Sequence, residues 1–156
     1  MKDALTDLYN RRYVFEKLGN LIKYANKRSL KIAILISDVN DFKKINDCYG
    51  HDYGDKILID IAIALKNSFD KRDIIARWGG DEFLILAVFA DEDAINKKIN
   101  HFQSNLKSTL ANKNTAVSVS IGKANYPTDH TNLEQLIAIA DDNMYEIKLN
   151  HKETNL

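Results

Sequence analysis

The amino-acid sequence predicts an α+β fold: a central, mostly antiparallel sheet flanked by helices. Three observations carry that prediction. Residues 31–39 (KIAILISDV) form a nearly continuous apolar run, the pattern of a strand buried on both faces. Two further apolar runs, at about residues 73–78 and 83–89, are separated only by a glycine-rich turn, which is a hairpin pattern. The stretches between and around these runs repeat apolar residues at helical spacing.

Taken in order, Asn10 is placed to cap a helix over about residues 11–27, with Val14, Leu18, Leu21, Ile22 and Ala25 on one face. The buried strand follows. A short helix at about residues 41–48 is stopped by Gly50, and a longer one at about 53–68 turns Leu58, Ile61, Ala62 and Leu65 inward. After the hairpin, Asp91 opens a helix with Ile95, Ile99, Phe102, Leu106 and Leu110 on one face. Residues 116–124 (AVSVSIGKA) read as a strand. The last helix, about 131–149, places Leu133, Leu136, Ile137, Ala140 and Met144 at helical spacing. Behind the leading helix the order is β-α-α-β-β-α-β-α, with one hairpin and all other strands joined through helices. That order suggests a ferredoxin-like arrangement.

The chain's 156 residues fit one domain with a real core. No linker, repeat or low-complexity stretch divides residues 1–156, which read as one domain with a natural N-terminal neighbour removed. The 22 basic and 22 acidic side chains balance, so composition gives no support for binding to nucleic acid or to a membrane surface. Cys48 is the only cysteine, which excludes an internal disulfide and suits a reducing, cytoplasmic compartment. No apolar run approaches the roughly 20 residues of a membrane span, and no signal peptide precedes the first helix.

The chemistry concentrates at residues 77–83 (RWGGDEF). Glycines let a phosphate approach the backbone, and paired carboxylates hold hard cations. Alone, such a turn reads as an ordinary polar hairpin tip. Asp38 is the first acid at the end of the buried strand, and with Asp81 and Glu82 it would complete an oxygen-rich site for a divalent cation carrying a nucleotide. Residues 41–55 (DFKKINDCYGHDYGD) are dense in groups able to read a base or a phosphate: Lys43, Lys44, Asn46, Asp47, His51 and Asp55. A carboxylate accepts from the N1–H and 2-amino group of guanine, an arrangement adenine does not offer. Trp78 and the tyrosines read as packing residues, Cys48 as a small semi-buried side chain, and Lys97-Lys98 as a solvated helix face.

Five blocks in order resemble the GGDEF domain, the catalytic domain of bacterial diguanylate cyclases. Residues 3–12 (DALTDLYNRR) resemble its opening D-x-L-T-x-L-x-N-R. Residues 38–55 resemble D-x-D-x-F-K-x-x-N-D-x-x-G-H-x-x-G-D. Residues 79–83 are the signature, residues 118–122 (SVSIG) resemble its V-S-I-G strand, and residues 141–148 its closing helix. The resemblance implies a nucleotidyl-cyclase-like version of the fold carrying a GGDEF hairpin. It also implies the joining of two GTP into cyclic di-GMP, the 3′-hydroxyl of each attacking the α-phosphate of the other. By similarity Asp38, Asp81 and the carbonyl of Val39 would hold Mg2+, or Mn2+. Glu82 would assist beside the metal or at the 3′-hydroxyl. Gly79 and Gly80 would make room for the triphosphate, Lys43 and Lys148 would meet it, and Asn46, His51 and Asp55 would bind guanine. Because one chain carries one half-site, a homodimer is implied, transient or driven by an N-terminal partner domain. The runner-up is a non-catalytic GGDEF module that binds GTP or cyclic di-GMP and regulates a neighbour.

The sequence departs from the family pattern in three places. Asn40 stands where a second Asp is usual. His151 and Lys152 replace a usual Gly-Arg pair, and lysine keeps the charge but loses the bidentate fork. Many relatives carry an inhibitory product site, R-x-x-D, five residues before the signature. Here Asp73 is in register but Asp70 takes the place of the arginine. An acid there repels phosphate, so weak or absent product inhibition is expected.

Overall fold

In the computed structural model, which describes residues 1–111, 113 and 116–154, strand β1 (Lys31–Val39) takes the centre of the sheet. Both its faces are apolar, so both must be covered. It pairs antiparallel with β3 (Glu82–Phe89), from Lys31 opposite Phe89 to Asp38 opposite Glu82. On its other side it pairs antiparallel with β4 (Val119–Tyr126), from Ile32 opposite Tyr126 to Val39 opposite Val119. Strand β2 (Ile74–Arg77) adds antiparallel to the outside of β3. The order is β2-β3-β1-β4, antiparallel throughout.

Side chains alternate across a strand, so each face has its own core. Ala33, Leu35, Val39, Phe83 and Ile85 pack with Ile61 and Leu65 of α3 (His51–Ser68) and with Phe102 of α4 (Glu92–Thr109). Ile32, Ile34, Ile36, Leu84 and Leu86 pack with Val14 and Leu21 of α1 (Arg11–Lys27) and with Leu136, Ala140 and Met144 of α5 (Leu133–Thr154). The short α2 (Phe42–Tyr49) follows β1 directly. The expected caps form: Asn10 Oδ1 accepts from Tyr13 N at 3.1 Å and Asp91 Oδ1 from Ala94 N at 2.8 Å. The outer edge of β2 is covered by the N-terminal segment, where Tyr9 N donates to Ile75 O at 3.2 Å and Arg77 N to Tyr9 O at 2.9 Å.

Several expectations shift. Strand β4 occupies 119–126 rather than 116–124, because β1 ends at Val39 and offers no ladder beyond it. Asn40 takes over there, its N–H donating to Ser118 O at 2.9 Å. Helix α3 begins at His51 because Gly50, at φ +90°, turns the chain straight from α2 into α3. Helix α5 runs to Thr154. Cys48 is exposed rather than semi-buried, as are Tyr49 and Tyr145. Among the described residues, no helix is long and apolar enough to cross a membrane.

Candidate active site

At the common end of β1, β3 and β4, Asp38 faces Glu82 across one ladder and Ser120 across the other. Even-numbered positions of β1 and β3 face α1 and α5, so Asp38 and Glu82 emerge on the side that α5 covers. One residue on, Val39 N donates to Asp81 O at 3.3 Å, which ties the hairpin tip to the end of β1. Helix α5 supplies positive charge. Lys148 Nζ lies 2.9 Å from Asp38 Oδ2 and 3.3 Å from Val39 O, and both side chains of that ion pair are largely shielded from solvent, at 19% and 15% exposure.

The acids outnumber this ammonium. Burial pushes the Asp81 carboxyl up to about 7; Asp38 beside it adds to the rise, while Asp81's own backbone and Lys148 oppose it. Burial also raises Glu82, with Asp38 and Asp141 of α5 adding to it against Arg11 and Lys148. Asp38 Oδ1 is buried and has no hydrogen-bond partner. A buried, unpartnered carboxylate oxygen beside a carboxyl that resists ionising fits a hard cation, whose charge would relieve both. Among the described residues no group of three His, Cys, Asp or Glu side chains is arranged to hold a metal. A cation here would therefore draw on two carboxylates, the Val39 carbonyl and the ligand's own oxygens, the sparse protein ligation typical of Mg2+ on phosphates.

The hairpin closes differently from a two-residue primed turn. Residues 78–81 form the loop, and Trp78 N and Gly79 N both donate to Glu82 O, at 2.8 and 3.2 Å. Neither glycine has positive φ. Their value is the missing side chain: a Cβ on Gly80 would meet nothing within 4 Å, and one on Gly79 would lie 3.4 Å from Glu82 Oε2. The surface over Gly80 is open to a ligand. Arg77 grips the turn from below, donating from Nη2 and Nε to Gly80 O at 2.8 and 3.3 Å, and from Nη1 to Asp3 Oδ2 at 3.2 Å. Arg11 Nε donates to Trp78 O at 2.9 Å, and its guanidinium sits 4.3 Å above the indole ring. Trp78 thus packs, but as a partner of Arg11. Asp3 and Arg11 stood inside the opening sequence block, and Arg77 in the 77–83 stretch, without an assigned part.

Beside this corner a cavity of about 470 Å³ is lined by Val39, Lys43, Lys44, Asp81, Lys148 and Lys152. Its four lysines outnumber the three acids Asp41, Asp47 and Asp81, and the ammonium groups suit a polyanion. Phe42 lines the same cavity and reaches the notch between α2 and α3. A Cβ on Gly54 would overlap Asn46 Oδ1, so only glycine lets α3 come this close to α2. That Asn46 oxygen is buried without a hydrogen-bond partner. His51 and Asp55 are exposed one helical turn apart on α3, flanking Gly54. A second hollow, of about 340 Å³, shares Lys44 and Asp41 with the first but is lined by none of Asp38, Asp81, Asn46 or Asp55. Asn40 is buried and engaged in structure: Nδ2 donates to Ser118 Oγ at 2.9 Å and Oδ1 accepts from Ser120 Oγ at 2.7 Å.

Asp73 lies apart from this corner. Its side chain is fully buried; Oδ2 accepts from Asp70 N and Lys98 Nζ, both at 2.9 Å, and Oδ1 from Val88 N at 3.0 Å. Lys98 also reaches Asp70 Oδ2 at 2.9 Å and Val88 O at 3.2 Å. Lys98 is therefore no solvated surface lysine, because two acids and a carbonyl converge on it; Lys97 is exposed. Arg72 donates to the Tyr24 hydroxyl at 2.7 Å and lies 3.6 Å from Asp70 Oδ2.

The profile of the family described as "Diguanylate cyclase, GGDEF domain" matches residues 1–154. Diguanylate cyclase DosC of Escherichia coli (strain K12) is 37% identical over 150 residues, covering 94% of this chain and 32% of its own. Response regulator PleD of Caulobacter vibrioides (strain NA1000 / CB15N) is 34% identical over 151 residues, covering 94% of this chain and 33% of its own. The chain spans about a third of the length of these curated relatives. The solved GGDEF domain of the Pseudomonas aeruginosa protein TpbB or YfiN superposes with a TM-score of 0.82 at 30% identity, over 96% of this chain and 90% of that one. With the family profile running from the first residue to the end of α5, this chain belongs to the GGDEF family.

Proposed function

We propose that this chain is a diguanylate cyclase, the catalytic domain of a longer cytoplasmic signalling protein, that condenses two GTP into one cyclic di-GMP and two pyrophosphates. The observation that carries the reading is the Asp38–Asp81 pair, one oxygen buried without a partner and one carboxyl pushed up to about 7, at the mouth of a lysine-lined cavity. Asp38, Asp81 and the Val39 carbonyl would hold Mg2+, or Mn2+. A divalent ion held there offsets the negative charge that builds on phosphate oxygens during phosphoryl transfer.

The remaining steps belong to the chain's own residues. Lys43 and Lys148 bind the triphosphate, with Lys44 and Lys152 adding charge around it. The open surface over Gly80, with no side chain on Gly79, lets the α-phosphate come close to the hairpin. Glu82, its carboxyl raised, assists beside the metal or takes up a proton at the 3′-hydroxyl. Asn46 and Asp55 read guanine, and His51 lies on the same α3 turn. One chain carries one GGDEF signature and so one half-site; the second GTP sits on a second copy facing it, and each 3′-hydroxyl attacks the α-phosphate held by the partner copy. The inhibitory product site is degenerate: Asp73 is saturated by three donors, and Asp70 takes the arginine's place. Tight binding of cyclic di-GMP that is lost in Asp73→Asn would overturn this last point.

The deciding experiment is incubation with GTP and Mg2+ at high protein concentration, with chromatography for cyclic di-GMP and Asp81→Ala as control. Product from the wild type alone is expected. Equal rates in both would sink the proposed metal corner. No product in either would favour a module that binds nucleotide without turnover. Asp55→Ser is expected to lower GTP selectivity in a mixed-nucleotide assay, and unchanged selectivity would remove Asp55 from guanine reading.

A further inference from the structure

Resting on the cyclase reading, we infer that Arg77, held by Asp3, is a positioning residue: it sets the tilt of the catalytic hairpin by clamping the Gly80 carbonyl to the N-terminal segment. The other bonds of loop 78–81 hold Trp78, Gly79 and Asp81, through Glu82 O, Val39 N and Arg11, and leave Gly80 to Arg77. Gly80 contacts nothing where a side chain would be, and Gly-Gly backbone is the least restricted that a chain can contain. Yet Asp81, the next residue, must meet Asp38 across the end of the sheet. The position of Asp81 depends on the Gly79–Gly80 dihedrals, so whatever restrains Gly80 restrains the corner.

Arg77 is shaped for that restraint. Its planar fork places two donors on Gly80 O and the third nitrogen on both oxygens of Asp3, at 3.3 and 3.2 Å. The side chains of Arg77 and Asp3 are only 19% and 24% exposed, so the pair is shielded compared with a surface ion pair. Asp3 is itself anchored. Its Oδ2 accepts from Thr6 N and Thr6 Oγ1 at 2.9 and 2.8 Å, and its N–H donates to Leu8 O at 2.7 Å. The backbone of Arg77 is bonded to Tyr9 O in the same segment. Arg11 holds the other shoulder of the loop through Trp78 O. Two arginines thus fix the carbonyls at positions 78 and 80, and both are organised by residues 1–11. None of these groups lines the lysine-walled cavity, so their effect on the reaction passes through geometry alone.

Trp78 is the only tryptophan in the chain and sits in this loop, so its fluorescence reports the hairpin without relying on turnover. Arg77→Lys keeps the charge opposite Asp3 but cannot span to Gly80 as well. The expected result is a fall in kcat of about ten- to a hundredfold, the scale set by small misplacements of reacting groups, with KM for GTP near the wild-type value. Acrylamide quenching of Trp78 should rise while the thermal midpoint stays close to wild type. Asp3→Asn should move both readouts in the same direction by less. Lys66→Ala, which breaks the other ion pair to this segment through Asp7, should move neither. Wild-type quenching in both Arg77→Lys and Asp3→Asn would overturn the inference, as would quenching that rises equally in Lys66→Ala. Should the wild type make no product, the cyclase reading fails while Trp78 quenching still decides whether Arg77 holds the hairpin.

Discussion

At Gly122 a side chain would enter space already filled by the backbone of α5: a Cβ would overlap Ala140 O and Met144 N and lie 2.8 Å from Met144 Cα. Backbone cannot rotate aside as a side chain can, so α5 would have to lift. Lys148 rides on the same helix one turn beyond Met144, and its ammonium reaches Asp38 only because the helix lies this close. Gly122→Ala is expected to destabilise the chain by about 1–3 kcal/mol through overpacking and to raise KM for GTP as Lys148 withdraws. An unchanged thermal midpoint would show that the helix accommodates the methyl group. The motif around Gly122 was visible in the sequence, but its reason was not, because no pattern within β4 says that a helix backbone lies on it. Asn40 is similar. It is an exception to a motif in the sequence, and a buried clasp between β1 and the start of β4 in the structure.

Among the elements, the β2–β3 hairpin and α4 meet through Lys98. Removing the ammonium would leave the fully buried Asp73 carboxylate with backbone donors only, and breaking such a pair costs about 3–5 kcal/mol. Lys98→Met is therefore expected to lower the thermal midpoint clearly at pH 7. The acid dependence follows from Asp70, whose carboxyl lies below its usual value, chiefly through its hydrogen bond to Lys98, with burial opposing. A depressed carboxyl contributes stability that is complete above its ordinary value of 3.8 and is lost as pH falls through the lower folded value. The gap between wild type and Lys98→Met should thus narrow as pH drops below about 4. A gap that stays constant from pH 7 to pH 3 would remove the Asp70–Lys98 link from the account. Lys98 looked like half of a charged surface pair because its partners lie 28 and 25 positions away in sequence, beyond the reach of helical periodicity.

For the whole molecule, the proposed function makes the acids, the lysine-lined cavity and the α2–α3 notch one nucleotide site per chain. A product built from two nucleotides requires two such sites face to face. At low protein concentration the initial rate is then expected to rise more steeply than linearly with concentration, approaching second order. A linear dependence down to the lowest measurable concentration would show that no second copy has to be recruited. The sheet order makes the site polar. β1 and β3 bring Asp38 and Glu82 to one end, and α2 and loop 78–81 emerge there together.

Element types, their order and the presence of a core were legible in the sequence, since strand and helix periodicities and capping residues such as Asn10 and Asp91 act over short range. The motif residues from Asp38 to Lys148 were legible too, as a resemblance attached to positions. The strand order, the extent of β4, the shared use of Glu82 O by two amides and the commitment of Asp73 to Lys98 came only with the tertiary structure. So did the clamp from Asp3 through Arg77 to Gly80. Each depends on groups far apart in the chain competing for the same donor, acceptor or space, and local pattern carries no record of which partner wins.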